Sequence, residues 1–247
     1  MSVDEDHMDL GSLYITRIQT SFDEDQKMIL ATFREKYTTK DGSKVSIANY
    51  FKGLPIVCPA TILGVEHENL DLDISHQQAV AISADHYTLI RSKLFPLPIM
   101  ANAQYVNINK HMVSLNKLCF VEVLAEKRAA VRVELDPPVR ATMLFGDQAV
   151  VGQLRDISTQ GIAIEADDFI PLESGFEMSA KFMLPDLVLM KQTLIKVPAI
   201  LIGVGGSGPP YRYRMGITPE KYQEQLISRY SFHRQVDIIR GLKGMVG

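Results

Sequence analysis

The chain has little of what would place it outside a reducing compartment or in a membrane. It contains two cysteines, Cys58 and Cys119, in 247 residues, which is too few for a disulfide framework. Its N-terminus has neither the basic stretch nor the apolar stretch of a secretory signal peptide. No apolar run approaches the roughly 20 residues that a transmembrane helix needs. These absences predict a soluble, cytoplasmic protein without a membrane span.

The chain also lacks an excess of positive charge. It has 26 lysines and arginines against 29 aspartates and glutamates, a formal net charge of -3. No overall basic field therefore indicates a nucleic acid or a membrane surface as partner, and any anion site must be a local cluster of cations. The composition, 46% hydrophobic and 22% charged, is that of a globular protein, and the length suits two modest domains.

Metal and catalytic motifs are missing as well. The six histidines include no pair four residues apart, and neither cysteine lies in a CxxC or beside a histidine, so we predict no metal site. No GxSxG nucleophile motif occurs, and we predict that the chain is not an enzyme.

One glycine-rich stretch has a second interpretation. "GVGGSG", 203–208, has the spelling of a dinucleotide-binding loop, which would indicate a nucleotide-dependent oxidoreductase. That motif requires a helix to begin inside the glycines, whereas two prolines and the alternating "YRYRMGI" follow here. We expect a flexible loop between strands, and the oxidoreductase remains the less favoured alternative.

The first half of the sequence predicts a helix followed by strands. Residues 1–20 are mostly acidic and small at their start, and we expect them to be disordered. "SFDE", 21–24, has the spacing of a capping box, and Ile29 and Phe33 follow one helical turn apart. From about Pro55 the apolar period changes to two in short segments that include "AVAIS", 79–83. Residues 21–123 therefore form a predicted β-rich domain with a leading helix.

The second half repeats the β pattern and closes with a helix. "GFEMSAKFML", 175–184, alternates apolar and polar residues, as a half-buried strand does. Near the end, Thr218 can cap a helix and Pro219 suits its first position. We place the junction near Leu124 and a second domain over 124–247. The predicted fold class is mainly β, with two small barrel or split-barrel domains and a terminal α-helix.

Two short motifs flank one predicted strand of the second domain. "EKRAAVRV", 126–133, sets Arg128 and Arg132 four residues apart with Lys127 beside the first, a pattern that alone indicates only a solvated charged face. "LRDISTQGIAI", 154–164, contains Asp156, Ser158 and Gly161 in the pattern D-x-S-x-x-G. Taken alone, this pattern predicts a turn between two strands.

Together, and at this spacing, the two motifs resemble those of the PilZ domain family. The resemblance covers roughly 125–240 and rests on these six residues: Lys127, Arg128, Arg132, Asp156, Ser158 and Gly161. It implies a six-stranded antiparallel barrel that ends in a helix, and a receptor for the bacterial second messenger cyclic di-GMP. An all-β domain before such a barrel is similar to the layout of flagellar-brake proteins.

The resemblance implies a role for each motif residue. Arg128 and Arg132 meet guanine edges and phosphate, because a guanidinium can donate two parallel hydrogen bonds to guanine O6 and N7. Lys127 is an auxiliary cation. Asp156 accepts from guanine N1–H and N2–H, Ser158 supplies a hydroxyl, and Gly161 lets the backbone approach the ligand closely.

Neighbouring arginines are not assigned to the site. Arg155 should point to the opposite sheet face from Asp156. Arg212 and Arg214 share one face of a later strand and could add positive charge at the rim. "YRYR", 211–214, is also the only interleaved basic and aromatic run, which, with the net charge, disfavours an RNA-binding barrel.

Ligand at the predicted junction should change the orientation of the domains, because a dianion neutralises three cations within six residues. The expected output is regulation of motility, biofilm formation or secretion through a protein partner such as a flagellar motor or secretion component. No nucleic-acid partner is expected, and a homodimer is possible. The alternative within the same fold is a scaffold that acts through protein contacts without a ligand.

Overall fold

The computed structural model describes residues 13–186 and 189–244. The chain divides into two compact units between Arg128 and Ala129, and the residues from Arg240 onward group with the first unit. We expected residues 1–20 to be disordered, and residues 1–12 of that segment lie outside the described residues. The rest of that segment differs from the expectation, since Tyr14–Thr16 is a strand.

Among the described residues, the N-terminal unit is a sheet with two helices. Its elements are β1 (Tyr14–Thr16), α1 (Phe22–Lys36), β2 (Lys44–Phe51), β3 (Leu54–Glu66), β4 (Asn69–Asp73), α2 (His76–Asp85), β5 (Tyr87–Arg91), β6 (Ile99–Asn107) and β7 (Met112–Val123). The strands form one sheet in the order β1-β7-β4-β3-β2-β5-β6, and β6 also pairs with β7. A short 3-10 helix, Leu124–Lys127, follows β7.

The leading helix is confirmed. The Ser21 hydroxyl accepts from the Glu24 backbone N–H at 3.2 Å, as the capping-box spacing predicts. Ile29 and Phe33 are both fully buried in the core of the N-terminal unit. The helix therefore packs through the face that the sequence indicated.

The assignment of "AVAIS" to a strand was wrong, because these residues lie in α2. Ser75 caps this helix by accepting from the Gln78 backbone N–H at 3.2 Å, and His86 ends it in the left-handed conformation with φ 59°. All side chains of 79–82 are buried. A short run of buried apolar residues has no face pattern, so its period cannot distinguish a helix from a strand.

Among the described residues, the C-terminal unit is a closed six-stranded antiparallel barrel in the order β10-β13-β12-β11-β8-β9. Its elements are β8 (Val133–Phe145), β9 (Gln148–Ile157), β10 (Gly161–Ala166), β11 (Glu177–Asp186), β12 (Lys191–Gly205), β13 (Tyr211–Ile217) and α3 (Lys221–Gly244), the last running past this unit's final residue, Ile239. The mainly β fold class, the barrel, the terminal helix and a second sheet unit before it are confirmed. None of the helices in the described parts of the chain is long and apolar enough to cross a membrane.

Two local boundaries differ from the sequence prediction. The backbone N–H of Thr218 donates to Pro198 O at 3.1 Å, so Thr218 is tied to the barrel and the helix begins at Lys221. The glycine stretch is partly strand, since β12 continues to Gly205 and only then turns at Gly206, whose φ is +102°. No helix begins inside these glycines, which removes the geometric basis for a dinucleotide loop.

Candidate functional site

Asp156 lies at the end of β9, where the barrel edge turns. It pairs with Glu134 of β8 on one side and with Ala163 of β10 on the other, and only 6% of its surface is exposed. The preceding residue, Arg155, is exposed and forms an ion pair with Glu165 at 2.9 Å. Arg155 makes no ion pair with Asp156 in the described structure, in keeping with the expected alternation.

The turn after Asp156 is closed by Ser158. Its backbone N–H donates to Gly161 O at 2.8 Å, and its hydroxyl accepts from the Gly161 N–H at 3.0 Å. The hydroxyl also donates to Gly161 O at 3.1 Å, and Ser158 is only 3% exposed. Ser158 thus fixes the reversal from β9 to β10, and its predicted contact with a ligand stays a prediction.

Arg132 packs against this turn. Its Nη1 lies 3.5 Å from Asp156 Oδ1, and 16% of its side chain is exposed. A Cβ atom added at Gly161 would stand only 2.8 Å from Arg132 Nη2 and 3.1 Å from Met215 O. A side chain at position 161 would therefore displace the Arg132 guanidinium, and the predicted close approach of a ligand to Gly161 stays a prediction.

Arg212 of β13 is a member of this cluster that the sequence analysis did not assign. Its Nη2 donates to Asp156 Oδ2 at 2.7 Å, and its Nη1 lies 3.8 Å from Glu165 Oε1. The alternation in "YRYRMGI" did predict that Arg212 lies on the opposite face from the buried Tyr213. What it could not predict is the pairing of β13 with β10, which sets Arg212 opposite Glu165.

The Asp156 carboxylate contacts both arginines but accepts a hydrogen bond through one oxygen only. Oδ2 accepts from Arg212, whereas Oδ1 is buried and has no hydrogen-bond partner within the described residues. A buried, unbonded carboxylate oxygen is costly, and it is satisfied when a ligand or water donates to it. The arrangement can accept hydrogen bonds from a neutral N–H donor and hold negative charge beside two guanidiniums.

Lys127 and Arg128 belong to the N-terminal unit by their contacts. Lys127 forms an ion pair with Glu122, and its hydrogen bond, followed by that of Arg17, lowers the pKa of Glu122 to about 2. The Arg128 backbone N–H donates to Ala125 O at 3.4 Å. The structure therefore gathers Arg132, Asp156, Ser158 and Gly161 in one unit and places the other two predicted site residues in the other unit.

Over 13–186 and 189–244, no group of three or more histidine, cysteine, aspartate or glutamate side chains could hold a metal ion.

A closed six-stranded antiparallel barrel with Arg132 packed against a D-x-S-x-x-G turn is the arrangement that the resemblance to PilZ domains implies. Residues 126–233 match the family model of the PilZ domain. This match confirms the resemblance found in the two motifs.

The chain is also similar to solved structures at low identity. These include the Bacillus subtilis inhibitor of motility, MotI/DgrA, with a TM-score of 0.43 and 12% identity over 79% of this chain and 96% of that one. YcgR from Escherichia coli in complex with c-di-GMP has a TM-score of 0.44 and 12% identity over 89% and 93%. The K. pneumonia MrkH-c-di-GMP complex has a TM-score of 0.40 and 13% identity over 94% of this chain and 100% of that one. A comparison with curated protein sequences found no match.

Proposed function

We propose that this chain is a receptor for cyclic di-GMP, and not an enzyme. The observation that carries the proposal is the Asp156 carboxylate, which lies between two guanidiniums and whose buried Oδ1 has no hydrogen-bond partner among the described residues. Guanine offers N1–H and N2–H as adjacent donors, and a carboxylate accepts two such bonds side by side. Asp156 is thus the acceptor for one guanine edge.

The arginines supply the complementary half of the site. Cyclic di-GMP carries two phosphodiester charges, and each guanine presents O6 and N7 as acceptors that a guanidinium can meet with two bonds. Arg132 lies beside Asp156 and is the first candidate for these bonds. Arg128 and Lys127 are the further cations of the proposed site, and the exposed ion pair of Lys127 with Glu122 costs little to exchange for a ligand phosphate.

The biological output is the finer part of the proposal. We propose that the domain over 124–247 binds the messenger in the cytoplasm, and that the β-rich domain over 21–123 changes its orientation on binding. The regulated partner would be a protein that acts in motility, biofilm formation or secretion, such as a component of the flagellar motor or of a secretion system. A ligand-free PilZ scaffold is the alternative, and the absence of a hydrogen bond to Asp156 Oδ1 among the described residues favours the receptor, because most buried polar atoms have a partner.

Isothermal titration of the full chain with cyclic di-GMP, GTP, NAD and a short RNA tests the function. We expect binding of cyclic di-GMP alone. Binding of none of them would favour the scaffold, and binding of NAD or RNA would favour one of the other classes.

Replacing Gly161 by alanine should weaken cyclic di-GMP binding about tenfold. The added Cβ would stand 2.8 Å from Arg132 Nη2, so the guanidinium must shift from its present position beside Asp156. Titration calorimetry measures the loss, and circular dichroism checks that the barrel is intact.

Gly216 provides a matched control, because it is paired directly opposite Gly161 in the ladder of β10 and β13. A Cβ there would meet only Ile202 Cδ1 at 3.8 Å and Gln160 O at 3.9 Å, which are ordinary contacts. Gly216→Ala should keep the affinity within about threefold of the wild type. Equal losses in the two variants would show that the barrel edge, and not the position of Arg132, is what the substitutions disturb.

A further inference from the structure

We infer that Arg212 is a positioning residue that gives the site its selectivity for the guanine base, by holding Asp156 so that its free oxygen faces the donors of the ligand. The inference rests on the proposed function and adds a residue outside both sequence motifs. Arg212 lies 56 positions from Asp156 in the sequence and reaches it only through the pairing of β13 with β10.

A chain of alternating charges crosses the barrel surface at this point. Arg155 lies 2.9 Å from Glu165, Glu165 lies 3.8 Å from Arg212, Arg212 lies 2.7 Å from Asp156, and Asp156 lies 3.5 Å from Arg132. The shortest contact is the one between Arg212 and Asp156, and this carboxylate is also the more buried of the two, with 8% of its side chain exposed against 21% for Glu165. Arg212 is therefore the principal partner of Asp156.

The bond from Arg212 sets the plane of the Asp156 carboxylate. The terminal torsion of an aspartate is broad, so the plane is free to turn unless one oxygen is held. A charge-assisted bond of 2.7 Å holds Oδ2 and leaves Oδ1, which has no hydrogen-bond partner in the described part of the chain, as the acceptor for a ligand. Because Oδ2 has a second lone pair, the two donors of guanine can reach both oxygens.

Arg212 also lets Arg132 leave Asp156 for the ligand. Arg132 Nη1 lies 3.5 Å from Asp156 Oδ1, which is longer than a normal charge-assisted hydrogen bond. If Arg132 turned to a guanine or a phosphate without another cation nearby, a buried carboxylate would lose its counter-charge, which is strongly unfavourable. Arg212 keeps that charge compensated throughout.

The selectivity follows from the donors that each base presents. Hypoxanthine has N1–H but lacks the exocyclic amino group of guanine, so cyclic di-IMP differs from cyclic di-GMP by the N2–H donors alone. A carboxylate held in the correct plane binds guanine more tightly than hypoxanthine, because it accepts a hydrogen bond from the second donor. A carboxylate that is free to turn gains much less affinity from that donor. The affinity ratio between the two ligands therefore measures how well Asp156 is positioned.

The test is a titration of the wild type, Arg212→Gln and Arg155→Gln with both ligands. We expect the wild type to bind cyclic di-GMP at least about tenfold more tightly than cyclic di-IMP. In Arg212→Gln the two affinities should differ by no more than about threefold, because the substitution weakens the binding of cyclic di-GMP more than that of cyclic di-IMP. Arg155→Gln removes a guanidinium of the same charge chain that is paired with Glu165 and not with Asp156, and its ratio should equal that of the wild type.

Two results would overturn the inference while leaving the proposed function intact: an unchanged ratio in Arg212→Gln, or an equal fall in Arg155→Gln. If Arg212→Gln does not fold, Arg212→Lys decides, since lysine keeps the charge without the planar fork and should lower the ratio by at least about threefold. An unchanged ratio in the lysine variant overturns the inference. A wild type that binds neither ligand overturns the proposed function and the inference together.

Discussion

Replacing Arg132 by lysine should weaken cyclic di-GMP binding almost as much as replacing it by alanine, by about tenfold to more than a hundredfold. The expected loss corresponds to one bidentate contact, worth about 1–3 kcal/mol. A lysine ammonium is a compact charge and cannot donate two parallel bonds to guanine O6 and N7. The charge of Arg132 alone is therefore not sufficient for its proposed role.

The structure allows this ligand role to be separated from a role in the barrel. A lysine at position 132 can still form an ion pair with Asp156, whereas alanine cannot, so the thermal stability of the lysine variant should remain closer to that of the wild type. Arg140→Lys is a matched control, because Arg140 is an exposed residue of β8, the strand that follows Arg132. Titration calorimetry and thermal unfolding measure the two effects. Near-native affinity in Arg132→Lys would contradict the bidentate contact.

The strands of the second unit and the turn that carries Asp156, Ser158 and Gly161 could be predicted from sequence because the information is local. The D-x-S-x-x-G spelling describes one turn, and the structure closes that turn through Ser158 and Gly161 within four residues. Alternation of apolar residues in β11 and β12 similarly predicts strands whose inner faces are buried. Such features need no knowledge of which strands pair.

The part that sequence could not predict depends on pairing between distant strands. Arg212 reaches Asp156 because β13 pairs with β10 and β10 pairs with β9. Alternation fixes the face of a residue but not its neighbour across the sheet. For the same reason the sequence could not predict that the Arg132 guanidinium lies nearest to the position that a Cβ atom at residue 161 would take.

Residues 79–83 were predicted as a strand because a short buried apolar run has no face pattern, but they lie in α2. A buried polar network around Asn49 holds this helix against the sheet. The Asn49 amide donates to Asp85 Oδ2 at 2.8 Å and to Tyr87 O at 2.7 Å. Its oxygen accepts from Gln78 Nε2 at 2.7 Å and from Thr88 Oγ1 at 2.8 Å. Both amide donors and both lone pairs are thus used, and the network ties α2 to β2 and β5.

Asn49→Ala should therefore lower the free energy of unfolding of the N-terminal unit by about 3 kcal/mol, since it leaves several buried polar groups without partners. Asn49, Gln78 and Thr88 are all fully buried, so water cannot replace the lost bonds without opening the structure. Urea unfolding measures the loss, and amide hydrogen exchange in α2 should accelerate. Asn109→Ala, in an exposed turn, is the control and should change stability by less than about 0.5 kcal/mol.

The cost of Asn49→Ala should also shrink as the pH falls from about 7 to about 5. Burial raises the pKa of Asp85, and the hydrogen bond from Asn49 opposes that rise. Without Asn49 the pKa rises further, so the folded variant binds a proton more readily than its unfolded state and gains stability as the pH falls through that raised pKa. The wild type gains less over the same range, because its Asp85 keeps the hydrogen bond. A cost that stays constant between the two pH values would show that Asp85 remains equally well solvated without Asn49, and that the network stabilises α2 through its neutral bonds alone.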